Sequence, residues 1–427
     1  MIKSIEIMII LATQTAVIVT SVVVFLLVIL LLVGILLYAK KKLTPSGSVV
    51  VNINDGEKTI ETEPGSTLLS TLGNNKIFLP SACGGGGTCG MCRCQVDSGA
   101  GSILPTETGF FTRKEQQNNW RLSCQVKVKE DIEMRVPQEV MGIKKWECTV
   151  VSNKNVATFI KEFVVKLPEG ENLDFKSGGY IQIDVPKTEV DFKDFDIDEK
   201  FRGDWEKFGL FDLKMKNPEP TYRAYSMANH PAEGNIVMLN IRIATPPFDR
   251  VNGGFQKVNP GICSSYIYSL KPGDKITISG PYGEFFLKDN DNEMMFIGGG
   301  AGMAPMRSHL FHLFHTVKES NKKVTFWYGA RSWKEVFYYD QFRDIEKNFP
   351  NFEFHLALSE PLPEDNWDGP TGFIHQVIYD NYLSKHEEPE EIDYYLCGPP
   401  MMNDAVTKML YELGVPDENV LFDDFGG

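Results

Sequence analysis

The chain opens on an unbroken apolar run: no residue from Ile7 to Ala39 is charged, and Ala16 to Ala39 is almost wholly Val, Ile and Leu. About 20 apolar residues span a bilayer, so the run predicts one transmembrane helix. The rival reading is a signal peptide, whose apolar core would be about 7 to 15 residues ahead of a small-residue cleavage site; neither is present. Lys40, Lys41 and Lys42 follow at once, whereas Lys3 is the one basic residue before the run, which predicts an outside N-terminus and a cytoplasmic remainder. After a short linker at 43–47 the apolar period falls to two. Residues 49–53, an Asn54-Asp55-Gly56 turn and residues 58–61 predict a hairpin. Pro64-Gly65-Ser66 offers an N-cap for a short helix bearing Leu68, Leu69 and Leu72. Further strands are predicted at 93–97 and, as one or two, within 125–136.

From about Lys144 the pattern becomes short strands at 147–151, 160–167, 180–185, 236–243 and 275–279, separated by turn residues, which predicts an antiparallel barrel. Between Pro186 and Pro220 an insertion carries Phe192, Phe195, Phe201, Trp205, Phe208 and Phe211 among many charges. It reads as a solvated loop with a few buried aromatics, or else as a docking surface for a partner subunit. The last third alternates strands (294–297, 324–328, 352–358, 394–397) with helices (304–317, 339–348, 373–382, 401–413), the pattern of a doubly wound parallel α/β sheet. The expected organisation is therefore multidomain: an anchor at 1–43, an α+β unit at 44–140, a barrel at 141–288 and an α/β unit at 289–427.

A length of 427 residues accommodates several such cores. The net charge of -14 excludes nucleic acid, which needs clustered Lys and Arg. Eight cysteines, half of them within one twelve-residue stretch, fit a reducing compartment rather than a disulfide framework.

That stretch is Cys83-Gly84-Gly85-Gly86-Gly87-Thr88-Cys89-Gly90-Met91-Cys92-Arg93-Cys94. Cys83, Cys89 and Cys92, spaced C-x5-C-x2-C, with Cys124 further on, form a ligand set for a 2Fe-2S cluster, where each iron takes two thiolates. The glycines can adopt φ > 0 and bring backbone N–H groups to the sulfurs. A structural zinc site also favours four cysteines, but usually as two short-spaced pairs, whereas Cys124 stands alone. Cys94 reads as strand packing beside the cluster, and Cys148, Cys263 and Cys397 as single buried thiols. Strands and a helix around this loop resemble the β-grasp fold of ferredoxins.

Two motifs lie within the barrel. Arg223-Ala224-Tyr225-Ser226 and Gly261-Ile262-Cys263-Ser264 resemble the R-x-Y-S and G-x-C-S of the ferredoxin-NADP reductase family. Arg223 can neutralise a pyrophosphate, Tyr225 offers an aromatic face, and Gly261 to Ser264 present N–H groups at a helix start. The resemblance implies FAD as the ligand, with Ser226 at the isoalloxazine and Asn240 and Arg242 as further contacts. In the α/β unit, Gly298-Gly299-Gly300-Ala301-Gly302-Met303-Ala304-Pro305 fails the G-x-G-x-x-G fingerprint at Met303. It resembles the G-x-G-x-x-P loop of flavoprotein reductases, which would set a dinucleotide pyrophosphate on a helix N-terminus. Cys397-Gly398-Pro399, at the end of a strand, resembles the nicotinamide-side motif of the same family. His309, His312 and His315 cannot converge on one metal from a single helix.

The order of these parts closely resembles that of the F subunits of sodium-translocating NADH:quinone oxidoreductases. The resemblance implies hydride transfer from NADH to FAD and single electrons through the 2Fe-2S cluster toward quinone. Other integral-membrane subunits would couple this to Na+ export at the bacterial inner membrane. It also implies that Phe425 covers the flavin, while Ser226 and Cys397 serve the hydride step. The alternative is a membrane-anchored NADH-dependent reductase serving a monooxygenase or another acceptor. A tethered binding module with inactive nucleotide sites is a third reading. Arg331 and Lys334 leave NADPH open, since a 2′-phosphate seeks such cations.

Overall fold

The computed structural model describes residues 2–43, 47–249 and 253–423. The chain divides into two compact units, Met1–Asn75 with Arg93–Pro137, and Lys76–Cys92 with Gln138–Gly427. In the first unit, α1 (Ile2–Leu43) contains Ala16–Leu36, a segment long and apolar enough to cross a bilayer. The sheet that follows has β1 (Val49–Ile53), β2 (Lys58–Thr62), β3 (Arg93–Ser98), β4 (Trp120–Leu122) and β5 (Ile132–Arg135) in the order β2-β1-β5-β3-β4. Its β1–β5 pair is parallel and the other pairs are antiparallel. The hairpin forms as the sequence predicts, with Asn54 and Asp55 at φ 52° and 58°, the left-handed values a tight hairpin turn needs. Helix α2 (Leu68–Asn74) buries Leu68, Leu69 and Leu72. Its cap is Thr67 rather than the Pro64-Gly65-Ser66 stretch: the Thr67 hydroxyl accepts from Ser70 N at 3.1 Å.

The second unit contains β6 (Lys144–Ala157), β7 (Ile160–Lys166), β8 (Tyr180–Val185), β9 (Thr188–Asp191), β10 (Lys214–Asn217), β11 (Thr221–Ser226), β12 (Ile236–Arg242) and β13 (Lys275–Tyr282). Six of them form an antiparallel sheet in the order β11-β8-β13-β6-β7-β12. Just past β11, Met227 bridges Leu239 of β12, so the two edges come together as expected of a barrel. The insertion has the few buried aromatics the sequence predicts, but it is ordered rather than a loop. β9 and β10 pair as a ribbon, and between them runs α3 (Glu199–Lys207). Phe192, Phe195, Phe201 and Trp205 are buried in the same core as the sheet, whereas Phe208 is 41% exposed. Aromatics of this size release enough apolar surface to pull the polar segment between them into place.

The remaining strands are β14 (Met294–Gly299), β15 (Val324–Ala330), β16 (Phe352–Leu358), β17 (Asp393–Cys397) and β18 (Val420–Phe422), all parallel in the order β16-β15-β14-β17-β18. Helices α4 (Ile262–Ser269), α5 (Met303–Phe311), α6 (Tyr339–Asn348), α7 (Ile374–Asn381) and α8 (Pro400–Glu412) complete the unit. The helix expected over 304–317 ends as α5 at Phe311 and continues as a π-turn through Val317. β14, β15 and β17 are buried along nearly their whole length because both sheet faces are covered, whereas the edge strand β16 exposes Glu353.

Candidate active site

The cysteine loop has the backbone its glycines foreshadow: Gly84, Gly85, Gly87 and Gly90 sit at φ 65°, 88°, 78° and 69°. Cys83 and Cys89 are brought together, with sulfurs 3.3 Å apart. Burial pushes the Cys83 thiol up, but hydrogen bonds from the Thr88 and Cys89 backbones and the Cys89 and Ser81 side chains outweigh it. The net result lowers it to about 6, favouring the thiolate a metal requires. Cys92 is buried in the same loop, and Cys124 is buried in the first unit beside Gln125, whose Nε2 lies 3.6 Å from its sulfur. Among the described residues no three His, Cys, Asp or Glu side chains surround one ion position, whereas a two-iron cluster divides its thiolates over two centres. These residues fit such a cluster through their four thiols, the lowered Cys83 among them, and the N–H groups around Cys83. Cys94 is fully buried in β3 near the Arg121 carbonyl, and burial pushes its thiol up to about 12, in keeping with packing.

Gly84 lies against β11. A Cβ there would stand 2.6 Å from Arg223 Nη1 and 2.8 Å from Tyr222 O, so no other residue fits without displacing that strand. Arg223 Nη1 donates to Thr221 Oγ1 and to Tyr222 O. The two barrel motifs, some forty residues apart, meet where the Tyr225 hydroxyl neighbours the Cys263 thiol. Gly261 caps α4 and must be glycine, because a Cβ would stand 2.5 Å from that of Ala244. Ser264 Oγ accepts from Ala244 N at 3.2 Å and donates to Gly261 O, fixing the loop before the helix. The N-terminus of α4 and the Arg223 guanidinium of β11 are donors that could hold the phosphates of a dinucleotide.

Ser226 is buried, and its hydroxyl donates to Asp423 Oδ2 at 2.5 Å. Asn240 does not lie free beside the motif strand: its Nδ2 donates to Tyr338 Oη at 2.8 Å, and that hydroxyl donates to Glu162. Its Oδ1 is buried without a hydrogen-bond partner. Arg242 is exposed at the end of β12. Phe425 lies outside the described residues.

At the carboxyl edge of the parallel sheet, β14 runs into a tight turn at Gly300–Gly302 and then α5, in which Met303, Ala304 and Pro305 are buried. Gly300 takes φ 57°, and a Cβ on Gly302 would stand 2.0 Å from Cys397 O. The loop and the Cys397-Gly398-Pro399 motif are thus in direct contact. The Cys397 side chain is fully buried, and Pro399 caps α8. A Cβ on Gly299 or Gly398 would collide with Met402, whereas Gly298 is packed less tightly, against Phe326 and Met306.

Three features were not legible in the sequence. Asp423 is joined to Ser226 across 197 positions, a pairing no local motif announces. Arg331 is paired with Glu360 at 2.7 Å and Lys334 with Asp204, so both cations are already neutralised. A groove of about 470 Å³ at the start of α7 is lined by Thr371, Phe373, His375 and Gln376, with Phe373 71% exposed. It adjoins Leu358, the last residue of β16.

A flavin-motif barrel, a dinucleotide loop on a parallel sheet and a cysteine loop together define a ferredoxin-reductase-like flavoprotein with its own iron–sulfur domain. Three family models agree: a 2Fe-2S iron-sulfur cluster binding domain at 51–129, an oxidoreductase FAD-binding domain at 209–287 and an oxidoreductase NAD-binding domain at 296–408. The fold is shared with the cytochrome P450 reductase GcoB of Amycolatopsis (TM-score 0.59, 22% identity, 88% of this chain and 98% of that one). It is shared too with a ferredoxin reductase in carbazole 1,9a-dioxygenase (TM-score 0.56, 24% identity, 89% and 98%). The F subunit of the Na(+)-translocating NADH-quinone reductase of Idiomarina loihiensis is 57% identical over 92% of this chain and 95% of its own, and that of Pseudomonas aeruginosa is 55% identical over the same shares. The chain belongs to this family, the F subunits of Na(+)-translocating NADH-quinone reductases. It is an oxidoreductase component that takes electrons from NADH and uses FAD and a 2Fe-2S cluster.

Proposed function

We propose that this chain is the electron-input component of a membrane respiratory complex that passes electrons toward quinone while other integral-membrane subunits export Na+. On this reading α1 holds it in the bacterial inner membrane with the N-terminus outside and the cofactor domains in the cytoplasm. The domains run 44–140 for the cluster, 141–288 for FAD and 289–427 for NADH. When bound, FAD takes up the hydride pair and releases electrons singly, which a one-electron iron–sulfur acceptor requires. Arg223 and the N-terminus of α4 hold its pyrophosphate, and Tyr225 and Ser226 line its ring. Asn240 and Arg242 border that site, Asn240 through its bond to Tyr338. Gly300, Gly302 and the first N–H groups of α5 hold the dinucleotide phosphates. Cys397 to Pro399 bound the nicotinamide, Phe373 offers a face to the adenine, and Phe425 shields the flavin. Cys83, Cys89, Cys92 and Cys124 hold the cluster.

Support comes above all from Gly84, which brings the cysteine loop against the strand of the flavin motif. The pairing of Arg331 with Glu360 supports NADH over NADPH, since a 2′-phosphate would meet a carboxylate there. The test is purification from membranes. Polytopic partners should copurify, and NADH:quinone reduction should be stimulated by sodium. Indifference to sodium together with electron delivery to a monooxygenase would favour the tethered-reductase reading instead.

A further inference from the structure

The barrel and the parallel sheet meet where Arg307 pairs with Glu233 and Asn240 bonds Tyr338, and again at one hairpin tip. Between β6 and β7, Ala157 and Ile160 are buried with Met303 and Tyr328 in the core of the parallel sheet. Ile160 Cδ1 would lie 3.9 Å from a Cβ on Gly300 of the dinucleotide loop. The other side of the tip is gripped by the insertion. Phe159 packs on Trp205 and Phe208, with ring centroids 6.3 and 6.0 Å away, and Trp205 Nε1 donates to Thr158 O at 2.7 Å.

Thr158 passes the grip on. Its N–H donates to Glu335 at 3.2 Å, and its hydroxyl donates to the same carboxylate. The neighbouring Lys334 pairs with Asp204 of α3, its ammonium 5.6 Å from the Phe201 ring centroid. Lys334 and Glu335 belong to the turn Trp333–Glu335 that follows β15, and from β15 the Tyr328 hydroxyl donates to Gly300 O at 3.2 Å. An unbroken set of contacts therefore runs from the insertion, through the tip and the turn, to the loop that carries the dinucleotide.

We propose that the 186–220 insertion is a clamp that fixes the angle between barrel and parallel sheet, and thereby the separation of nicotinamide from flavin. Asp204 and Thr158 are its positioning residues for hydride transfer. Reacting atoms must stand about 3–3.5 Å apart, and a displacement of about 1 Å can cost about 10²-fold in rate. The Asp204–Lys334 pair is about one-third exposed on both sides, so it contributes little to stability, and removing it frees the joint without unfolding the chain. The proposal rests on reading Gly300–Pro305 as the dinucleotide loop.

The test uses the full chain loaded with FAD and compares wild type with Asp204→Asn, Thr158→Val and the charge-swapped pair Asp204→Lys/Lys334→Asp. Flavin reduction by NADH is followed in single turnover, with NADH and 4-deuterated NADH, alongside FAD content and NADH Kd. Asp204→Asn should slow reduction per bound flavin by about tenfold, with Kd within about twofold and an undiminished isotope effect, and the charge swap should restore most of the rate. An unchanged rate per bound flavin in Asp204→Asn overturns the clamp, and so does a fall that merely tracks lost FAD. If Thr158→Val does not fold, Asp204→Asn at its partly exposed pair still decides. Gly302→Ala separates the two readings: it should abolish NADH binding while FAD stays, and normal NADH binding there would refute the loop assignment whatever the clamp variants do.

Discussion

The Ser226 hydroxyl, directed at the Asp423 carboxylate, is the single group whose role depends most on distant chain. A buried hydroxyl held by a carboxylate has a fixed proton direction, and on the proposed reading, with Ser226 at the flavin ring, it can pass or hold a proton there. Ser226→Ala should slow flavin reduction by NADH by about 10²-fold while FAD content stays near one per chain. Asp423→Asn should fall between wild type and Ser226→Ala, because an amide oxygen still accepts the bond without the charge. Stopped-flow absorbance of the flavin band measures both, and a Ser226→Ala rate within about twofold of wild type would exclude the role. The R-x-Y-S motif made Ser226 legible in the sequence. Asp423 and the Asn240–Tyr338 bond were not, since both depend on residues that only the tertiary fold brings close.

Elements were read most reliably where one period ran undisturbed. Strand 352–358 and helix 339–348 appear with the bounds the sequence implies, because each is a single unbroken pattern. β11 is not predicted as a strand, because Thr221 to Tyr225 are all half-buried and the segment has no buried face to impose an apolar alternation. The insertion reads as a loop because its charges outnumber its aromatics, although the aromatics decide where it packs. The long connection between β3 and β4 is the converse case, ordered by a charge pair and not by apolar period. Glu107 is fully buried and accepts Arg121 Nε and Nη2 and Leu122 N, while Arg121 Nη1 donates to the carbonyls of Ala100 and Gly101. Burial pushes the Glu107 carboxyl up, but the Arg121 guanidinium and the Leu104 and Leu122 N–H groups more than reverse this and leave it below its ordinary value. A carboxyl lowered by folding stabilises fully above its unfolded value of about 4.3, and that contribution fades as pH falls through the lower folded value. Glu107→Gln should therefore cost about 3–5 kcal/mol at neutral pH, with a smaller penalty under acid, where wild type has lost the same charge. Thermal melts of the two proteins from pH 7 to pH 3 measure the convergence; a penalty independent of pH would show that shape, not charge, orders this connection.

At the scale of the whole molecule, chain order runs opposite to electron order: anchor, cluster, flavin and nicotinamide follow one another in sequence, while electrons travel from the last toward the first. That inversion was legible because each cofactor has a compact motif of its own. What the sequence could not supply is which motifs touch, and here the contacts are specific. The dinucleotide loop meets Cys397 through Gly302, the two flavin motifs meet through Tyr225 and Cys263, and the cysteine loop meets β11 through Gly84. The Gly302 and Gly84 junctions are close approaches that one side chain would spoil, so the electron-transfer steps should be separable by substitution. Cys89→Ser should remove the cluster's visible absorbance and its electron paramagnetic resonance signal yet leave single-turnover reduction of flavin by NADH within about twofold, because the flavin and dinucleotide motifs lie elsewhere in the chain. Gly84→Ala should do the reverse of a ligand loss: it keeps the four thiols but pushes the loop off Arg223 and Tyr222. The cluster should then form while its reduction by flavin slows, since the loop is displaced from the strand of the flavin motif. Rapid-freeze spectra after mixing with NADH distinguish the two variants. Loss of FAD together with the cluster in Cys89→Ser would mean that the cysteine loop is part of the flavin site's own fold and that the two cofactors cannot be unloaded independently.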